Sequence, residues 1–159
     1  MILVTVGTQK FPFDRLLKMV DELIDEKVII DNVLGQVGYS SYKPLYYNSF
    51  DFKPESEMNS MMKNADILIT HAGVGSIITA LQLQKKVIVV PRIKHYGEHV
   101  DDHQLEIAEA YYQKGFIALA KNKDQLAHLL KNVHDIKFQQ YKTEKSTILS
   151  SIQDFIEKI

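Results

Sequence analysis

The sequence contains no cysteine and no tryptophan. The first absence removes disulfide staples, thiolate metal centres and cysteine nucleophiles together, and it is compatible with a reducing compartment. Arginine is nearly absent too: Arg15 and Arg92 are the only two among 19 basic residues, which face 20 acidic ones. A net charge of -1 provides no basic footprint for a phosphate backbone, so nucleic acid is not an expected partner. Apolar runs such as Val87 to Val90 fall far short of the roughly 20 residues that span a bilayer, and no transmembrane helix is expected. The opening residues Met1-Ile2-Leu3-Val4-Thr5-Val6 lack a basic leader and a small-residue cleavage site, so they read as a strand and not as a signal peptide. A cytoplasmic setting is expected. With 45% hydrophobic and 25% charged residues, the 159-residue chain is neither disordered nor fibrous, and its length suits one domain with one core.

What is present is an alternation of short apolar runs and amphipathic stretches. Residues 2–6 form a β-branched run stopped by Gly7-Thr8, as suits a strand buried on both faces. Pro12 stands near a helix start, and Phe13, Leu16, Leu17, Val20, Leu23 and Ile24 recur at three- and four-residue steps down to Glu26. Strands are expected at 32–36 and 45–50, a helix at 54–64, a strand at 66–70, a glycine-containing loop at 71–76 and a helix at 77–83. A strand at 87–90 closes on Pro91, the polar 91–99 stretch reads as a loop, and 101–113 has helical spacing. A strand at 116–119 and helices at 123–133 and 143–159 complete the chain, the last with Ile148, Leu149, Ile152, Phe155, Ile156 and Ile159 in one stripe. No internal repeat is visible. The expected fold class is α/β: a doubly wound, mostly parallel, Rossmann-like sheet with helices on both faces, as a single domain over 1–159.

In such sheets ligands bind beyond the carboxyl ends of the strands, which singles out the loops after Val6, Gln36, Thr70 and Val90. His71-Ala72-Gly73-Val74-Gly75-Ser76 leads from a strand into a helix, where glycines allow close backbone approach and free amides suit an anion. It is not a dinucleotide fingerprint, because Ile78 stands where the third glycine would be, and no Gly-Lys-Ser/Thr makes it a P-loop. Gly7-Thr8-Gln9 is a second such turn. Together they suit a diphosphate, or are two ordinary βα loops capped by Thr8 and Ser76. In the polar 91–104 segment, His95, His99 and His103 are spaced by four, with Asp101 and Asp102 beside them. Three readings stay open there: a metal site interrupted by Gly97, a helix start presenting His99, His103 and Gln104 to a hydroxyl-rich ligand, or a solvated loop.

The N-terminal strand with Gly7-Thr8-Gln9, the loop His71 to Ile77, and Val89-Val90-Pro91-Arg92 followed by Glu98-His99 and Asp102-His103-Gln104-Leu105-Glu106-Ile107-Ala108 resemble the C-terminal, donor-binding half of GT-B glycosyltransferases of family 28 type. The resemblance covers nearly the whole chain. It is strongest to the small subunit of split enzymes, the eukaryotic UDP-N-acetylglucosamine transferase of dolichol-linked glycan assembly and bacterial capsule or exopolysaccharide enzymes of the PssE type. It implies that Gly73, Val74, Gly75 and Ser76 hold the donor diphosphate, that Gly7, Thr8 and Gln9 face it with Gln36 and His71 alongside, and that His99, His103 and Gln104 lie near the hexose or diphosphate. The segment from Phe50 to Lys53, with Phe52, would border the uracil. One position departs: Thr79 stands where the single-chain relative MurG has a glutamate for the ribose hydroxyls.

The resemblance further implies transfer of a hexose from a UDP-sugar to a lipid-linked acceptor with inversion, in capsule or exopolysaccharide assembly. His99 is the candidate base within the chain, with no metal and no cofactor beyond the donor. Because the chain supplies one half of a two-domain cleft, a membrane-anchored partner resembling the other half is implied, which would hold the protein at the inner face of the membrane. The stripe on the 143–159 helix either packs on its own domain or meets that partner. Rival expectations are a non-catalytic nucleotide-binding subunit, a metal-dependent hydrolase built on His95, His99 and His103, and a dinucleotide oxidoreductase.

Overall fold

The computed structural model describes residues 1–142. The helix expected at 143–159 lies outside the described residues. In chain order the elements are β1 (Ile2–Thr5), α1 (Asp14–Asp25), β2 (Val33–Gln36), β3 (Asn48–Phe50), α2 (Glu55–Asn64), β4 (Ile67–Thr70), α3 (Val74–Gln82), β5 (Lys86–Val89), a 3-10 turn (Lys94–Tyr96), α4 (His103–Gln113), β6 (Ala118–Leu119) and α5 (Lys123–Asn132). Every strand pair is parallel, and the order is β3-β2-β1-β4-β5-β6. This is a doubly wound Rossmann order, with the reversal between β1 and β4.

Strand side chains alternate between two cores, one on each face of the sheet. Ile2, Val4, Ile69 and Ile88 pack with Leu16, Leu17, Val20 and Leu23 of α1 and Leu126 of α5. Leu3, Leu68, Val87 and Val89 pack on the other face with Met62 of α2, Ile77, Ala80 and Leu81 of α3 and Ala108 of α4. Burial on both sides explains why the strands read as unbroken apolar runs. At the carboxyl end of the reversal, Thr5 and Thr70 face each other and their hydroxyls bond at 2.7 Å.

Several expected boundaries move, and the strand expected at 116–119 shrinks to Ala118–Leu119. The helix expected from residue 77 begins at Val74, because Gly73 takes an extended conformation at the N-cap and the chain turns helical at once. Gly75 and Ser76 therefore lie in a first helical turn, and Ser76 is no cap. The helix expected from 101 begins at His103, since Asp101 and Asp102 spend their carboxylates on the amides of His103 and Lys94. The strand expected over 45–50 shrinks to Asn48–Phe50. Asp21, buried in α1, accepts bonds from the Leu45 and Tyr46 amides and the Tyr42 hydroxyl at 2.7–2.8 Å, which holds that segment as a loop on the helix.

Candidate functional site

The site lies where β1 and β4 end. Gly7 leaves β1 with φ +75°, a left-handed conformation that favours glycine. The buried His71 ring, leaving β4, lies between Gly7 and Gly73. A Cβ on Gly7 would stand 2.5 Å from His71 Nε2, and one on Gly73 would overlap the same ring. Both glycines thus make room for an imidazole as well as for close approach of a ligand.

The imidazole has a defined proton arrangement. Gln104 Oε1 accepts from the amides of Ala72 (3.2 Å) and Arg92 (3.1 Å). Its amide nitrogen is thereby turned to His71 Nδ1 at 3.1 Å and donates to it. The neutral ring must carry its own proton on Nε2, the atom beside the two glycines. Burial, reinforced by the Arg92 charge, brings the His71 pKa down from 6.5 to about 4, so the ring is neutral near pH 7.

A stability prediction follows from that shift. Between pH 6.5 and about 4 the unfolded chain binds a proton on His71 that the folded chain refuses. Stability is therefore full above the unfolded value and is lost as pH falls, by about 3 kcal/mol across the window. Denaturant unfolding of the wild type and a His71→Leu variant at several pH values checks this: the wild type should weaken more steeply on acidification, and parallel curves would refute it.

Next to the imidazole opens a cavity of about 400 Å³. Thr5, Gly7, Thr8 and Gln36 form its floor, Lys53 with Glu55, Met58, Asn59 and Met62 of α2 one wall, and Gly75, Ser76 and Thr79 of α3 the other. Gln36 Oε1 receives the amides of Val6 (3.3 Å) and Gly7 (3.2 Å), so this side chain holds the β1 turn in shape. The α3 N-terminus has no side-chain cap, which leaves its first-turn amides and the positive end of the helix dipole for an anion. A Cβ on Gly75 would meet nothing within 4 Å, so the backbone there is open to a ligand.

Two arginine-centred contacts join the 91–99 loop to the loop after β1 and to the start of α1. Arg92, fully buried, donates to the carbonyls of Val6 (2.5 Å), Phe11 (3.0 Å), Pro12 (3.2 Å) and Glu98 (3.2 Å) and lies over the Phe13 ring. The Glu98 carboxylate accepts from Arg15 Nε (2.8 Å) and a terminal Arg15 nitrogen (2.9 Å), and from the Ile93 amide (2.9 Å). Nothing in the spacing of Arg92 or Glu98 signals this brace. The only hint is that the chain's two arginines are both in it.

His99, half-buried against Phe11, places Nδ1 3.0 Å from Asp101 Oδ1, with the Asp101 amide 3.4 Å from the same nitrogen. Asp101 Oδ1 also receives the His103 amide at 3.0 Å, a bond that leads in holding this carboxyl below its ordinary value.

Of the residues singled out in the sequence, the structure places Gly7, Thr8, Gln36, Gly75 and Ser76 in the lining of one cavity, and His71 beside it, packed between Gly7 and Gly73 and bonded to Gln104. Phe52 is half-exposed with its ring against Tyr39 at 5.0 Å, and Val74 is exposed at the start of α3. Gln9 is exposed beyond Thr8, and the His103 ring faces solvent beside Glu106 at 3.2 Å. His95 is exposed in the 3-10 turn against Tyr96. Among the described residues no three or more His, Cys, Asp or Glu side chains are placed to hold a metal ion, which leaves the hydrolase reading of His95, His99 and His103 without a site. The α2 wall with Glu55 and Asn59 was not legible in the sequence, since its residues carry no motif.

The chain is 26% identical over 96% of its length to a UDP-N-acetylglucosamine transferase subunit, ALG13, of Yarrowia lipolytica, and covers 82% of that protein. It is 27% identical over 79% of its length to the UDP-N-acetylglucosamine--N-acetylmuramyl-(pentapeptide) pyrophosphoryl-undecaprenol N-acetylglucosamine transferase of Streptococcus pneumoniae, of which it spans 37%. In fold it is similar to the solution structure of ALG13, with a TM-score of 0.62 and 21% identity over 89% of either chain. The glycosyltransferase family 28 C-terminal domain matches residues 1–159, and the chain belongs to that family.

Proposed function

We propose that this chain is the donor-binding, catalytic subunit of a two-component inverting glycosyltransferase that moves a hexose from a UDP-sugar to a lipid-linked acceptor. One observation carries the reading: the Gly7 turn and the uncapped α3 N-terminus line a single cavity at the strand-order reversal, with the His71 Nε2–H packed beside it between Gly7 and Gly73. Three kinds of donor there suit a diphosphate, and the relatives' names supply the UDP-sugar, the word subunit and, for the pneumococcal enzyme, a pyrophosphoryl-lipid acceptor.

In the proposed reaction an acceptor hydroxyl oxygen attacks the anomeric carbon while the bond from that carbon to the UDP oxygen breaks. Charge grows on the departing UDP, and the fixed amides of α3 with the neutral His71 N–H offset it without rearranging. The acceptor proton goes to a base. His99 Nε2 fits that task, because Asp101 engages Nδ1 and leaves Nε2 free to accept. With one half of a two-domain cleft in this chain, we assign the acceptor to a membrane-anchored partner at the inner face of the membrane. Capsule or exopolysaccharide assembly is the setting suggested by the resemblance of the loops. UDP-N-acetylglucosamine, named in the relatives, is the first donor to try.

Thermal unfolding of the chain with UDP, UDP-sugars, ADP, GDP and NAD tests donor binding. A ligand at 100 times its dissociation constant adds about 2.7 kcal/mol, a rise of several degrees at about 2–4 °C per kcal/mol. The rise is expected with uridine nucleotides; a rise with NAD alone would overturn the reading. In the assembled pair, His99→Ala is expected to cut turnover about a hundredfold with donor affinity kept. Full turnover of that variant would assign the base to the partner.

A further inference from the structure

Beneath the cavity two buried threonines share one hydrogen bond. Thr5, at the end of β1, lines the cavity and is 2% exposed, and Thr70, its partner in the β1–β4 register, is fully buried. Leu3 and Leu68, two residues earlier on each strand, pack on the face covered by α2 and α3, so the alternation of a strand sends both hydroxyls to the side of the sheet where the cavity lies. Their oxygens are 2.7 Å apart, and neither has another hydrogen-bond partner among the described residues. Two hydroxyls bring two protons, and the bond between them uses one. The other is left without an acceptor in a buried place, where an unmade bond is costly. Thr5 is in the cavity lining and Thr70 is not. The spare proton therefore reaches a ligand in one arrangement, with Thr70 donating to Thr5 and Thr5 donating into the cavity. Accepting from Thr70 polarises the Thr5 O–H and makes it a better donor. Beside it the Gly7 turn and the first turn of α3 at Gly75 and Ser76 offer amides to an anion, and a phosphate oxygen is an acceptor for all of them.

Resting on the donor-site reading above, we infer that the Thr5 hydroxyl donates to a phosphate oxygen of the bound sugar nucleotide, with Thr70 behind it fixing the direction of that proton. Thr5 is then a binding residue and Thr70 a positioning residue. A hydrogen bond to a charged group contributes about tenfold or more in affinity.

The test is calorimetric titration of the full-length chain with UDP, joined to phosphorus-31 spectra of the bound nucleotide, for the wild type, Thr5→Ser, Thr5→Val and the double variant Thr5→Val with Thr70→Val. Thr5→Val alone orphans the buried Thr70 hydroxyl, whereas the double variant replaces both partners by apolar groups of the same shape and should unfold near the wild-type midpoint. Thr5→Ser is expected to bind within about twofold of the wild type, and both valine variants about tenfold more weakly with a shifted phosphorus resonance of the bound UDP. Folded valine variants that bind UDP as tightly as the wild type overturn the inference and leave the donor-site reading standing. Thr5→Ser as weak as Thr5→Val overturns it too, because methyl packing and not the hydroxyl would account for the loss. Weaker binding with unchanged phosphorus resonances does the same, by placing the contact elsewhere on the nucleotide. No binding of UDP by the wild type overturns the donor-site reading and this inference with it.

Discussion

Replacing Arg92 by leucine is expected to lower the unfolding midpoint by about 10 °C. The guanidinium serves four carbonyls, those of Val6, Phe11, Pro12 and Glu98, in a place with no exposed surface. Leucine fills part of the volume and supplies no donor. An orphaned buried acceptor costs about 1–3 kcal/mol, and relaxation of the two loops recovers part of the sum, so a net loss of about 3–5 kcal/mol is expected. At about 2–4 °C per kcal/mol this gives the stated fall. The cation is itself costly to bury: its pKa is brought down to about 10 by desolvation, which Glu98 opposes, and its Nε has no hydrogen-bond partner among the described residues. No other side chain could serve four carbonyls from one buried position. Arg92→Lys should therefore lose most of the same stability, since one ammonium cannot span the set. Thermal unfolding of both variants decides the matter, and midpoints within about 2 °C of the wild type would show that the loops hold without the brace.

The second large effect is expected at Gln104. In Gln104→Glu one carboxylate oxygen can still accept from the Ala72 and Arg92 amides, but the other now faces His71 Nδ1 and can only accept. The imidazole is driven to carry its proton on Nδ1, and a lone pair at Nε2 replaces the N–H that faces the diphosphate. Loss of a bond to a charged ligand, with repulsion in its place, should weaken UDP binding at least about tenfold. The new carboxylate also favours the imidazolium, in which both nitrogens donate, so binding should recover as pH is lowered toward 5. A titration series over pH reads both features. A Gln104→Glu variant that binds UDP as tightly as the wild type, and equally at every pH, would remove the proton arrangement from the account of the site.

The fold was largely legible because its evidence is local and periodic. The unbroken apolar runs of β1, β4 and β5 and the three-four stripe of α1 follow from burial on both faces of a sheet and one face of a helix, and each shows in a few consecutive residues. The glycine turns at 7 and 73–75 were equally visible. Their purpose was visible only in part, because the ring that needs the space at Gly7 arrives from residue 71. The 45–50 segment misled in part for a similar reason: Asn48–Phe50 is a strand, but a buried carboxylate on α1 takes the amides of Leu45 and Tyr46 and holds that end as a loop.

The sequence by itself determined the alternation of elements, the class of sheet, the anion-suited turns and the membership read from their order. Those properties depend on residues that are neighbours in the chain. Only the tertiary structure decided which side chains share a cavity, which nitrogen of His71 bears the proton, and that Arg92 and Glu98 tie two distant loops together. These are contacts between residues up to 86 positions apart, set by the packing of strands that order β1 beside β4, and no spacing along the chain encodes them.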